Sequence, residues 1–210
     1  MGIRGKTIGI PPCGCAVLAY NYFDVDICEA AHGRGCAVAT GLKRARPDRI
    51  VFTYQGDGDI SAIGTAETIH AANRAELITS IFVNNAVYGM TGGQMAPTTM
   101  LGQKTTTSPY GRRVNVEGYP LKITEIIASL QGAAYVARHS LATPAKINAT
   151  KRSIRKAFDV QIAGLGYSLV EILSPCPTNW KMSSVDAFRY LEEAMEKEFP
   201  LGVLKDITKE

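Results

Sequence analysis

Two short stretches carry side chains whose types and spacing suit divalent-cation chemistry: Gln55-Gly56-Asp57-Gly58-Asp59, and the amide pair Asn84-Asn85. Magnesium prefers oxygen ligands in near-octahedral geometry and usually shares substrate phosphates with few protein groups. A carboxylate from Asp57, the amide oxygen of Asn85 and one backbone carbonyl would leave positions for phosphate oxygens and water. Gly56 and Gly58, lacking Cβ atoms, would let a diphosphate come close to the backbone. Gly-Asp-Gly alone is an ordinary turn signal, and an asparagine pair alone an ordinary strand end. What singles them out is the elements between them.

Ile50–Tyr54 (IVFTY) and Leu77–Val83 (LITSIFV) are β-branched and aromatic runs that suit buried strands. Ser61–Ala75 between them is alanine-rich with helical apolar spacing, which makes a β-α-β unit with a right-handed crossover. Parallel sheets bind ligands beyond the carboxyl ends of their strands, so Asp57 and Asn85 are expected to face one site. The amino end of helix Ser61–Ala75 would meet negative charge there.

The remaining elements follow the same alternation. Thr7–Ile10 reads as a short strand, Gly33–Arg46 as a helix closed by Pro47, and Leu121–Gln131 as a helix. Ala133–Arg138 reads as a strand, and Thr143-Pro144 pairs an N-cap with proline at the first helical position of a helix running to about Ala163. Tyr167–Leu173 is expected as the last strand and Ser184–Glu198 as an amphipathic closing helix. The expected fold is therefore α/β, a mainly parallel sheet with helices on both faces. Tyr88 to Tyr119 is rich in Gly, Thr and Pro, a loop long enough to be functional or an interface.

At 210 residues the chain suits one domain with a substantial core, and 46% hydrophobic with 20% charged residues excludes a disordered chain. No apolar run approaches the ~20 residues of a membrane-spanning helix, and no signal peptide is evident, so a cytoplasmic location is expected. The net charge of +4 is spread along the chain, and its densest set, Lys43 to Arg49, sits at a helix end, where cations favour the helix dipole. That distribution speaks against nucleic acid and for a phosphate-bearing small ligand. Five cysteines without a secretion signal argue against a disulfide framework. Cys28 and Cys36, in or beside helical sequence, read as small buried residues, whereas Cys13, Cys15 and Cys176 sit on loops among prolines and glycine, as metal or cluster ligands often do.

Gly56-Asp57-Gly58 followed by Asn84-Asn85 resembles the thiamine diphosphate motif. With Ala86-Val87-Tyr88-Gly89-Met90-Thr91-Gly92-Gly93-Gln94, Ala96-Pro97-Thr98-Thr99, His32-Gly33-Arg34, Thr105 to Gly111 and Pro175 to Asn179, nearly the whole chain is similar to the β subunit of 2-oxoacid:ferredoxin oxidoreductases, nearest the 2-oxoglutarate and 2-oxoisovalerate branch. The resemblance implies a thiamine diphosphate-binding fold in which Asp57, Asn85 and the Val87 carbonyl ligate magnesium. It implies that Gly58 and Asp59 flank the diphosphate, that His32 reaches toward it, and that Tyr88, Gly89, Met90 and Thr91 belong to a loop closing over the thiazolium. It also implies oxidative decarboxylation of a 2-oxoacid to an acyl-coenzyme A and CO₂, with electrons passing to ferredoxin.

The glutamate that activates the cofactor is expected from the pyrimidine domain of a partner α subunit, so no catalytic residue is assigned in this chain. Further γ and ferredoxin-like δ subunits belong to the same expectation. Family members with an iron–sulfur cluster in this subunit carry an early Cys-Pro-Gly-Cys-Gly-His segment, which this sequence lacks. Cys15 and Cys176 match the later ligands, with Cys13 a weaker third. The sequence therefore leaves two alternatives open: a non-redox thiamine diphosphate-dependent decarboxylase subunit, and a non-catalytic remnant.

Overall fold

The structure is a computed structural model that describes residues 1–209. Along the chain come β1 (Thr7–Ile10), β2 (Asp26–Ile27), α1 (Gly35–Ala45), β3 (Ile50–Gly56), α2 (Thr65–Asn73) and β4 (Thr79–Asn84). A small antiparallel pair follows, β5 (Val87–Tyr88) with β6 (Gln94–Met95), then α3 (Val114–Glu117) and α4 (Ile123–Ser129). The second half holds β7 (Ala133–Ser140), α5 (Pro144–Ile162), β8 (Tyr167–Leu173), α6 (Pro177–Trp180), α7 (Ser184–Tyr190) and β9 (Gly202–Asp206).

The main sheet has seven strands in the order β2-β1-β3-β4-β8-β7-β9. Every pair in it is parallel except β7 with β9. Expected and observed architecture agree on the essential point: β3 and β4 are hydrogen-bonded neighbours, with Gly56 opposite Val83. Their carboxyl ends therefore open on the same rim. One apolar cluster joins residues of α1, α2 and α4 (Ala39, Ala71, Ile127) to the sheet, and a second joins Ala157, Phe158 and Val160 of α5 to it. A third, around Trp180, Leu191 and Phe199, packs under Ala86 and Val87 and so supports the turn after β4.

The helix expected over Ser61–Ala75 is divided. A π-helical turn, Asp59–Ile63, precedes Gly64, and α2 starts only at Thr65. Gly64 lies at this break, where a Cβ would lie 2.3 Å from the Gly33 carbonyl, so the chain at residue 33 approaches this closely only because residue 64 is glycine. Tyr167–Leu173 is not the last strand, because β9 adds to the β7 edge antiparallel. The closing helix is likewise interrupted by a π-helical turn at Leu191–Met195. At α5 the N-cap reads as expected, with the Thr143 hydroxyl accepting from the Lys146 N–H at 3.3 Å. Cys28 lies just past β2, not beside a helix, while Cys36 is buried in α1 with its thiol donating to Gln55 at 3.3 Å.

The long segment after Tyr88 is a folded loop. Arg112, 6% exposed, donates to the backbone carbonyls of Ala96, Pro97, Thr99, Glu117, Gly118 and Tyr119 at 2.6–3.4 Å. One guanidinium thus satisfies carbonyls that have no sheet or helix to pair them. No helix among the described residues is long and apolar enough to cross a membrane.

Candidate diphosphate and metal site

Asp57 leaves the end of β3 and points inward; it is 3% exposed. Its Oδ1 accepts the Gly58 N–H and its Oδ2 the Thr98 hydroxyl, both at 3.0 Å. No cationic side chain stands against it: among the described residues it takes part in none of the ion pairs. Burial pushes its carboxyl up to about 7, while the Thr98 hydroxyl and the backbone N–H groups of Gly58 and Val87 pull it back. A carboxylate enclosed by neutral donors is stabilised by a divalent cation, which fits magnesium in this position.

Asn85 stands across the rim at the end of β4. Its amide Oδ1 accepts from the Val87 N–H at 3.3 Å, and its own carbonyl accepts from the Trp180 indole at 2.9 Å. Ala86 between them has φ +60, an uncommon conformation for a residue with a Cβ, held by the Thr99 hydroxyl donating to the Ala86 carbonyl at 2.6 Å. This corner turns Asn85 and Val87 into the cavity that also receives Asp57. The cavity measures about 180 Å³. Gly56, Gly58, Asp59 and His32 line it on one side, and Tyr88, Gly89, Met90 and Thr91 on the other. All the residues expected to bind the cofactor are therefore brought together, though not all in the expected way.

Asp59 does not present a free carboxylate. Its Oδ1 accepts from the Gly33 N–H at 2.6 Å and pairs with His32 Nδ1 at 2.7 Å. It fixes the imidazole, which leaves His32 Nε2 as the group free to meet a ligand. Gly58 lines the cavity and also makes room for Tyr88: a Cβ there would lie 2.4 Å from the tyrosine ring. The helix end expected beside the site is replaced by the π-helical turn that starts at Asp59. Met90, half exposed, and Thr91 form the tip of the β5–β6 pair, closed by the Gly93 N–H donating to the Tyr88 carbonyl at 2.9 Å.

The cysteines do not assemble as a cluster would require. Among the described residues no three His, Cys, Asp or Glu side chains are grouped to hold a metal ion. Cys13 and Cys15 are exposed and line the cavity mouth, whereas Cys176 is partly buried and accepts from the Asn179 amide at 3.3 Å. Burial, then the neighbouring Cys176 and Asp57, push the Cys15 thiol up. The thiols present do not fit an iron–sulfur cluster, although the oxygen donors of Asp57, Asn85 and Val87 do fit magnesium.

Thr98, Thr99 and Trp180 are site residues that pattern reasoning alone did not assign. Each acts on a loop backbone or on Asp57 across a long sequence separation. Two threonines in a Gly/Thr-rich loop give no periodic signal. The lone tryptophan offered one, because a buried indole needs an acceptor for its N–H.

Together the rim, its acid and amide oxygens and the parallel sheet define an α/β domain whose strand ends open on one cavity. The chain belongs to the family described as thiamine pyrophosphate enzyme, C-terminal TPP binding domain, whose model matches residues 14–172. It is 50% identical over its full length to the ketoisovalerate oxidoreductase subunit VorA of Methanothermobacter thermautotrophicus, covering 44% of that protein. It is 41% identical to the 2-oxoglutarate synthase subunit KorB of Archaeoglobus fulgidus over 90% of this chain and 67% of that one. A 2-oxoglutarate:ferredoxin oxidoreductase from Magnetococcus marinus, solved with 2-oxoglutarate, coenzyme A and succinyl-CoA bound, superposes with a TM-score of 0.74. That match is at 29% identity and covers 97% of this chain and 72% of the other. The chain thus spans less than half the length of the VorA relatives it matches.

Proposed function

We propose that this chain forms the magnesium–diphosphate half of the active site of a 2-oxoacid:ferredoxin oxidoreductase, acting as its β-type subunit. The observation that carries the reading is the Asp57 carboxylate, buried among neutral donors and sharing one cavity with Asn85 and Val87. Asp57, the Asn85 amide oxygen and the Val87 carbonyl would hold the cation, and His32, oriented by Asp59, would offer its free ring nitrogen to the diphosphate. Thiamine diphosphate, when bound, supplies the electron sink that decarboxylation of a 2-oxoacid needs. This chain's part is to clamp the diphosphate, to place the Tyr88–Thr91 tip over the ring and to keep water from the reacting carbon.

A cavity of about 180 Å³ is below the ~300–1,000 Å³ of a complete small-molecule site. That supports a site completed by a second surface, which we assign to an α-type subunit carrying the activating glutamate. Coenzyme A as acyl acceptor, ferredoxin as electron acceptor, accessory γ and δ subunits and a cytoplasmic setting belong to the same proposal. No electron-transfer step is assigned to the thiols of this chain. Within the 2-oxoacids, the cavity lining contains no Lys or Arg to pair with a second carboxylate, and Cys13, Ala16 and Met90 in that lining favour a branched apolar side chain. Assay of the reconstituted complex with 2-oxoisovalerate, 2-oxoglutarate and pyruvate tests this, and the order expected is the order written.

The test of the site itself is thermal stabilisation by thiamine diphosphate with magnesium. We expect the shift to vanish without the metal and in Asp57→Ala, and to persist in Cys28→Ala. A full shift in Asp57→Ala overturns the metal assignment. No shift in the intact protein, alone or with an α partner, favours the non-catalytic alternative.

A further inference from the structure

Behind the Asn85 corner lies a buried polar chain whose members do not line the cavity. Glu171, at the centre of β8 and 1% exposed, receives three donors from three different elements. Its Oε2 accepts from Arg138 Nε on β7 at 2.6 Å and from the Thr124 hydroxyl on α4 at 2.5 Å. Its Oε1 accepts from Asn84 Nδ2 at 2.7 Å. Asn84, fully buried, then uses its own Oδ1 to accept from the Ala86 N–H at 3.1 Å, and its carbonyl accepts from Ser174 N–H at 2.9 Å. Arg138 is in turn anchored by two hydrogen bonds to Glu125, at 2.9 and 2.7 Å, and lies over the Phe199 ring.

The direction of this chain is fixed by chemistry. A carboxylate is acceptor-only at both oxygens, so the Asn84 amide can meet Glu171 only with its NH₂ end. The carbonyl end is thereby turned to Ala86, the one residue of the corner that holds a positive φ despite its Cβ. We propose that Glu171, braced by Arg138, is a positioning residue for the metal site: it sets the orientation of the Asn84 amide, which holds the strained Ala86 turn and so aims Asn85 and Val87 at Asp57. The proposal rests on the reading of Asp57, Asn85 and Val87 as the magnesium–diphosphate site.

The substitution Glu171→Gln tests the polarity of the chain without changing its shape. The new amide must keep its oxygen toward Arg138 and Thr124, which points its NH₂ at the Asn84 NH₂. Asn84 then either loses that bond or flips and loses Ala86. Pairing Glu171→Gln with Asn84→Asp restores a donor facing an acceptor and leaves a carboxylate oxygen for the Ala86 N–H. In the full chain, two measurements are made on the same samples: amide exchange at Ala86 without cofactor, and, with the α-type partner present, thiamine diphosphate affinity at fixed magnesium by calorimetry. Emission of the single tryptophan, Trp180, whose indole donates to the Asn85 carbonyl, gives a spectroscopic check on the corner.

We expect Glu171→Gln to exchange faster at Ala86 and to bind the cofactor about tenfold worse, the effect of one buried hydrogen bond, with a changed Trp180 emission. The double variant should return to within about threefold of the wild type. Asn84→Ala, which leaves the Glu171–Arg138 pair intact, should behave like Glu171→Gln, and it decides the question if that variant does not fold. A merely structural role predicts faster exchange throughout β7 and β8 and no recovery in the double variant; that result overturns the proposal, as does wild-type exchange and affinity in Asn84→Ala. If the wild type binds no cofactor even with the α-type partner present, the site assignment fails, and the exchange measurement still decides the role of Glu171.

Discussion

Asp57 and Glu171 are both carboxylates inside the protein, 3% and 1% exposed, and both act on the segment from Asn84 to Val87. Glu171 faces a guanidinium at 2.6 Å as well as two neutral donors. Asp57 faces only a hydroxyl and backbone N–H groups, and opens on a cavity. Removing one partner from a buried ion pair leaves an uncompensated charge, whereas a charge that never had a partner costs stability until a cation arrives. The first arrangement is complete within the fold, and the second leaves a charge that a cation would offset. That difference separates a carboxylate whose partners are all internal from one that faces a cavity, where residue type alone does not.

The contrast can be broken most severely at Arg138. Arg138→Met strands Glu171 and should cost about 3–5 kcal/mol in chemical denaturation. A loss below about 1 kcal/mol means that Glu171 is not compensated as described. Smaller, and opposite in sign, is the expected result for Asp57→Asn measured in chelator. Relieving a desolvated carboxylate should leave the metal-free protein unchanged or up to about 1 kcal/mol more stable, while the magnesium-dependent cofactor shift disappears. A marked destabilisation without metal makes Asp57 a second structural acid.

Glu76, itself 7% exposed but paired with exposed guanidinium groups, sharpens the comparison. It sits between Arg44 and Arg74, with an Arg74 contact of 2.8 Å, on side chains that are 63% and 44% exposed. Burial would raise its carboxyl, but the hydrogen bonds and charges of Arg74 and Arg44 outweigh it and hold the group below its ordinary value of 4.5. Its stabilisation is therefore present above that value and lost as pH falls through the lowered folded value. We expect Glu76→Gln to cost about 0.5 kcal/mol at neutral pH, less in high salt, with the gap to wild type closing in acid. An undiminished gap at about pH 3, below the ordinary carboxylate value, assigns the effect to packing.

How much of this was legible in the sequence follows from what each part depends on. The β3-α2-β4 unit was readable because its strands are continuous β-branched runs, and the Thr143-Pro144 cap because capping is local. The acid and amide of the proposed metal site could be placed at strand ends, and the structure brings them to one cavity. β9 was missed because Gly202–Asp206 is a partly exposed edge strand with no alternating pattern. The work of Asp59, Gly58 and Thr98 was hidden because each depends on a contact distant in sequence. One signal was present and unread. Glu171 and Arg138 are charges within otherwise apolar strand sequences, and buried charges on adjacent strands imply each other.

The Arg112 knot has a consequence for any partner that docks on this segment. Tyr110 and Tyr119, 85% and 71% exposed, crown a segment whose backbone is already tied to one guanidinium. A surface set in advance loses little chain freedom on association, so affinity there depends on side-chain fit and hardly at all on ordering the loop. In this chain the immobilising is done during folding, by a residue that need never touch the partner.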